Sequence, residues 1–442
     1  MDKSFKIIVN TLLKAVFVLF WVFALSCNQK EKKTPLIPAP KNAAYTSDTL
    51  QLSKEIYYDK VLGALVGSAI GDAMGASTEM WHRKDIQLKY GYITGLTPAE
   101  RVQSPEGTWE NNLLQGATTD DTRWKYLMTQ YFTQNIGKPD PNSFSQFINA
   151  YYQQLTKNLS DTGIATQTDL LDEKMEQIDW IKEWARVSLA YQNGMTEYTR
   201  ALNRFYGGEM SCAGQLYAPM FGLIANNTED AYALGYEHSI FDIGYAKDIT
   251  ASVSAMTHMA LRTQDLDSIL NVVPFSDTAG YQDSRLVGRI PYNIWTASID
   301  QIRGIKKMVK AGDTLNEKKS HRTTMPLQYP GSALDWEQQE TSYAFLEREQ
   351  KAIPFHAGEI WQILITGLAF GEGDFLNTIQ YIVNYGRDND TVAAIAGMVL
   401  GAKTGYNKLP KDIKEEVLKV NRDNLGIDLE AMAQEITELK YP

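Results

Sequence analysis

From about Ser53 onward the apolar positions recur at helical rather than strand spacing. Over 122–132, Trp124, Leu127, Met128, Tyr131 and Phe132 fall at intervals of three and four, one face of a helix. The same period predicts helices over 143–155, 177–191, 218–225, 229–239, 249–261, 359–370, 374–385, 392–402 and 412–420. Alternating strand patterns are scarce, and no repeat of solenoid length is evident. The expected fold is all-α: a single compact many-helix domain over 53–442, joined by short connections.

The stretch from Gly63 to Glu79, GALVGSAIGDAMGASTE, sits in a predicted helix over 55–78 and carries Gly63, Gly67, Gly71 and Gly75, four residues apart. That spacing keeps the glycines on one slowly drifting face. A glycine inside a helix costs about 1 kcal/mol relative to alanine, so four of them imply close approach by another backbone or by a ligand. A second stripe, Gly397, Gly401 and Gly405, lies far downstream. Two such helices can pack closely. The alternative is a tightly packed core helix whose end carries solvated acids, Asp72 and Glu79.

One segment breaks the pattern. Residues 277–340 hold prolines and glycines around a short helical stretch, 296–310, made basic by Arg303, Lys306, Lys307 and Lys310. Tyr281, Tyr292, Trp295, Tyr329 and Trp336 lie along it. It reads as a loop-rich insertion, either shaping a pocket or making a solvated excursion.

Charge and cysteines narrow the function classes. The chain has 442 residues and a formal net charge of −10. Residues 1–26 hold Lys3, Lys6 and Lys14 against Asp2, so the remainder is more acidic still. An acidic body argues against nucleic acid as a partner. Two cysteines make no disulfide framework. Cys27 follows a lysine-bearing start, an apolar run and Ser26, the parts of a secretory signal. A cysteine at that place resembles a bacterial lipoprotein signal, which implies removal of 1–26, acylation of Cys27 and a cell-envelope location, lipid-anchored to a bacterial membrane and facing the periplasm or the surface. The alternative is an uncleaved anchor helix, for which the run is short. Residues 27–52, charged and then proline-rich, read as a tether. Cys212 is expected to be a buried free thiol. The histidines His82, His238, His258, His321 and His356 show no ligand spacing.

Two more acidic clusters open helices. Thr118-Thr119-Asp120-Asp121-Thr122 starts the helix over 122–132, and Gly386-Arg387-Asp388-Asn389-Asp390-Thr391 starts the one over 392–402. One Asp or Thr suffices to cap a helix; adjacent carboxylates repel unless a cation lies between them. The second cluster is no EF-hand loop, because Val399 stands where the bidentate glutamate belongs. With Glu79, Thr119, Asp120, Asp121, Asp388, Asp390 and Thr391 the candidate ligand set is all oxygen, which suits magnesium or manganese rather than zinc. The five carboxylates call for about two divalent cations, which at roughly 3.5–4 Å apart lower the pKa of a bridging water and orient a substrate.

These residues carry a resemblance. GxxxGxAxGDAxGAxxE at 63–79, TDDT at 119–122 and GRDNDTVAAIAGMVLGAKTG at 386–405 are similar to the ADP-ribosylglycohydrolase family. The resemblance implies an all-helical fold and a binuclear magnesium or manganese centre that removes ADP-ribose from an acceptor; the family also contains a lens crystallin. It implies metal-ligand roles for Thr119, Asp120, Asp121, Asp388, Asp390 and Thr391, and a place near the metals and the scissile bond for Glu79. Three departures stand out. Arg387 and Asn389 replace the commoner residues of the third motif. Leucine and tyrosine (Leu216, Tyr217) occupy a central segment, ahead of Pro219, that often holds an arginine. The segment 277–340 has no obvious counterpart in short members.

The expected chemistry is water attack on an oxocarbenium-like carbon, with Glu79 or an Asp, Asp121 among them, as base. The substrate is a small molecule or an ADP-ribosylated group. Two alternatives remain: another glycosidic substrate on the same metals, and a lipid-anchored binding protein without turnover.

Overall fold

The computed structural model describes residues 49–100, 113–135, 139–161, 168–310 and 324–442. Cys27, the start of the tether and His321 lie outside these residues. The tether's end, where described, is pinned: the Leu50 amide donates to the Asn226 carbonyl (3.0 Å), and the Tyr441 hydroxyl to the Leu52 carbonyl (2.7 Å).

The architecture is all-α, as the period of the apolar positions predicts. The helices expected from periodicity form, most ends within three residues of those expected, and the stretch over 218–225 is resolved into two, Ala213–Tyr217 and Pro219–Ile224, broken where Pro219 begins the second. The described strand structure is a ribbon of two residues against two, Trp81–His82 antiparallel to Gly386–Arg387.

At the centre two glycine-striped helices cross, Lys54–Gly75 and Asn389–Thr404. Both are enclosed by protein. The first is long and apolar enough to cross a membrane, yet its apolar stretch is wholly buried, which is what an all-round apolar helix at the centre of a bundle looks like. The stripes interlock in antiparallel register. A Cβ at Gly63 would stand 2.6 Å from the Gly401 carbonyl oxygen and from the Tyr406 amide. One at Gly67 would collide with the Gly397 carbonyl, one at Gly71 with that of Ala393, and one at Gly75 with the backbone of Asp390. The expectation of close backbone approach is met, and the approaching group is the other stripe.

The segment 277–340 is more integrated than an excursion. Helix Ile290–Lys310 buries Trp295, Ile299, Ile302 and Ile305, and Trp361 donates from its indole nitrogen to the Pro291 carbonyl (3.0 Å). Arg289 and Asp248, both essentially unexposed, form an ion pair at the helix entry (2.7 Å). Helix Ala333–Glu349 begins at a capping box made by Ser332 and Asp335.

The interlock and an unpacked glycine make a matched test. Gly67→Ala should destabilise by about 2–3 kcal/mol, because the methyl meets backbone that cannot step aside. Gly304→Ala, inside Ile290–Lys310 with nothing within 4 Å of its Cβ position, should stabilise by up to ~1 kcal/mol. Urea unfolding of both variants checks this; equal effects would refute the interlock.

Candidate metal centre

Each acidic cluster is placed by its own local rule. The first glycine helix continues as a 3-10 turn, Ala76–Thr78, and delivers Glu79, which is buried. Met80 then takes a left-handed φ of 64°, and its amide donates to the Arg387 carbonyl (2.6 Å). Helix Asp120–Gln134 starts at Thr119, whose hydroxyl accepts from the Asp121 amide (3.4 Å). The second glycine helix starts at Asp388.

Asp72 is the support that ties two of these together. Its two oxygens accept from the amides of Thr119 (2.9 Å) and Thr122 (3.0 Å) and from the Thr122 hydroxyl (2.6 Å). This buried carboxylate therefore caps the TDDT helix from the glycine helix. The sequence hint was its place in the stripe; its partner was not readable.

The third cluster is held under strain. Arg387 has φ 65°, unusual for a residue with a side chain. Its guanidinium grips buried Glu359 through Nε (2.6 Å) and Nη2 (3.1 Å) and also donates to the Lys351 carbonyl (2.9 Å). Asn389 donates to the Thr78 hydroxyl and the Val383 carbonyl, both at 2.8 Å. The two residues that depart from the commoner motif thus stitch this acidic turn to its neighbours.

The three clusters meet. Thr391 donates its hydroxyl proton to Asp121 Oδ2 (2.8 Å), and Thr119 donates its own to Asp390 Oδ2 (3.3 Å). Lys125, buried on the TDDT helix, donates to Asp121 Oδ1 (3.1 Å). The Cys212 thiol, buried as expected, points to Asp388 Oδ2 (3.6 Å). Asp390 Oδ1 is buried with no hydrogen-bond partner. Sequence reading missed Lys125, although its i+4 offset from Asp121 was the available signal.

Crowding of acids in a dry place makes them hard to ionise. Burial, then the charge of Asp121, raises the pKa of Asp72 and of Asp388 to about 7 and that of Asp120 to about 6. Asp390 is raised well above the ordinary carboxylate range, by burial first and then by the charges of Glu79, Asp388, Asp121 and Asp72. Among the described residues no group of three or more His, Cys, Asp or Glu is gathered tightly enough to hold an ion as it stands. His238 and His258 are core residues whose Nδ1 atoms meet backbone carbonyls.

A cavity of about 190 Å³ opens on the carboxylates. Asp120, Asp388, Asp390 and Thr391 line one part of it, with Cys212 and Leu216; Trp180, Trp184, Phe205, Tyr206 and Phe355 form aromatic wall, and Asp179 and Glu183 complete the lining. Trp184 packs on Trp124 behind it (4.5 Å between ring centroids), so the wall is the surface of an aromatic core. No described residue of 277–340 lines this cavity; Tyr329 and Lys306 line a separate one of about 280 Å³.

Comparison with known proteins follows the same lines. An uncharacterised protein of Escherichia coli (strain K12), YegU, is 33% identical over 88 residues, 19% of this chain; the chain thus matches only 24% of that relative's length. A solved structure described as an ADP-ribosylglycohydrolase-related protein complex superposes with a TM-score of 0.50 at 17% identity, covering 87% of this chain and 99% of that one, a likeness of fold. The sequence model of the ADP-ribosylglycohydrolase family matches residues 53–442, the whole helical body, and the chain belongs to that family.

Proposed function

We propose that the chain is a glycohydrolase that cleaves an ADP-ribosyl or related ribosyl bond at a centre for two divalent cations, magnesium or manganese. The observation that carries this reading is the meeting of the Thr119–Asp121 and Asp388–Thr391 turns through the Thr391–Asp121 and Thr119–Asp390 hydrogen bonds, with Asp120, Asp388, Asp390 and Thr391 lining one cavity. Three segments far apart in sequence do not bring five carboxylates together in a dry interior without a use for them.

The residues fit hard cations. Their donors are carboxylate and hydroxyl oxygens, Asp390 Oδ1 is buried without a partner, and several carboxylates are costly to ionise unless a positive charge arrives. Asp120, Asp121, Asp388, Asp390, Thr119 and Thr391 would hold the ions. Bound there, the cations supply Lewis acidity and fixed positive charge for water and for substrate oxygens. The chain's own part is positional and protic. Asp72 fixes the TDDT turn, and Arg387 and Asn389 fix the DND turn. Glu79, buried and close enough for its charge to act on Asp390, takes the proton of the attacking water. The aromatic wall offers flat apolar surface to a sugar or base and displaces water from it.

Two outcomes check the reading. The first concerns pH. Asp72, Asp120 and Asp388 ionise near pH 6–7 in the folded metal-free protein but near 3.8 when unfolded. The folded state therefore holds more protons in that window, and metal-free stability falls as pH rises through it. Bound cations cancel this loss. The melting-temperature gap between magnesium-loaded and chelator-treated protein should widen from about pH 5 to about pH 8; a gap that does not change with pH contradicts the site. The second concerns turnover. Glu79→Gln keeps volume and removes the base, so product release from an ADP-ribosyl substrate should fall about 10²–10⁴-fold, with ADP-ribose affinity and melting temperature little changed. Equal rates for parent and variant would remove Glu79 from the chemistry; proportionate loss of affinity and stability would make it structural.

A further inference from the structure

The metal reading above treats the centre as a set of acids, yet one of its buried side chains is a cation. Lys125 stands one helical turn after Asp121, and the side chains of both are 1% exposed. A lysine at that depth needs a counter-charge, and its ammonium finds one in Asp121 Oδ1 at 3.1 Å. The other oxygen of Asp121 accepts from the Thr391 hydroxyl at 2.8 Å. Asp121 is thus engaged at both oxygens from within the chain.

Asp390 offers a contrast inside the same centre. One of its oxygens accepts from Thr119 (3.3 Å), and the other is buried with no partner. A divalent cation that draws on Asp390 meets an open oxygen. One that draws on Asp121 must share the carboxylate with an ammonium and lie close to its charge. Like charges within a few ångströms of one another in a low-dielectric site repel strongly.

We propose that Lys125 is a built-in cation of the centre, which makes its two divalent positions unequal: the one drawing on Asp121, beside the ammonium, binds more weakly than the other. This rests on the two-cation reading. In functional terms Lys125 is a positioning residue, holding the Asp121 carboxylate in place while the weaker position is empty. It also lets the acids coexist in the folded chain before any metal arrives.

The test is manganese binding to the full chain by equilibrium dialysis and titration calorimetry, for the parent, Lys125→Met and Lys125→Arg. The parent should take up two ions in steps separated by at least about tenfold in affinity. Lys125→Met should tighten the weaker step by about tenfold or more and narrow the gap, while lowering the melting temperature of the metal-free protein. Lys125→Arg, which keeps the charge, should keep the gap. Unchanged steps in Lys125→Met, or both steps weakened alike, would overturn the proposal and leave Lys125 a mere prop. Should Lys125→Met fail to fold, the parent alone decides: two ions bound with equal affinity would overturn the inequality while leaving the two-cation reading intact. A parent that binds no manganese overturns that reading itself.

Discussion

The structure depends on the crossing of two backbones. Lys54–Gly75 and Asn389–Thr404 approach so closely that Gly63 and Gly67 touch the backbone carbonyls of Gly401 and Gly397, and Gly71 that of Ala393. At the end of this register Gly75 rests on the backbone of Asp390. The crossing therefore does more than fill the core. It brings the exit of the first helix, with Asp72 and Glu79, against the entrance of the second, with Asp388, Asp390 and Thr391. Any side chain in the stripe would part the helices and separate the acids. The entropic cost of glycine in a helix is offset by the extent of contact that two smooth faces achieve.

From that point the centre is built by supports that are not themselves candidate ligands. Asp72 carries the TDDT turn on three hydrogen bonds. Glu359 holds Arg387 in a left-handed conformation through two. Strain of this kind persists only where the surroundings over-determine it, and here it bends the chain from the ribbon into the helix that presents Asp388 and Asp390. Burial first and mutual proximity second raise the pKa values of these acids, and Lys125 pairs with one of them, Asp121.

Much of this was legible in the sequence, because helical period and helix-start chemistry are local. The two stripes and the TDDT and DND helix starts could be read directly, and the all-α fold followed. The misses have physical reasons. Helix Ala333–Glu349 buries Gln338, Gln339 and Ser342 along with Trp336 and Phe345, so its inward face is not an apolar stripe. Helix Arg83–Tyr90 is short and mostly polar, begun by a histidine cap. Leu429, Met432, Ala433 and Ile436 do follow helical spacing, and the last helix, Leu429–Lys440, was readable from them. Partnerships across the fold were not readable: that Asp72 caps another helix and that Arg387 meets Glu359 are facts of packing.

The central claim is that the glycine crossing assembles these acids into one cation centre. The most direct measurement is a crystal structure of the protein grown with manganese, with the ions located by anomalous scattering. The account predicts two anomalous peaks among Thr119, Asp120, Asp121, Asp388, Asp390 and Thr391, roughly 3.5–4 Å apart, at the carboxylate end of the aromatic cavity. Fully occupied manganese elsewhere in the molecule, with no peak between the two helix starts, would contradict it.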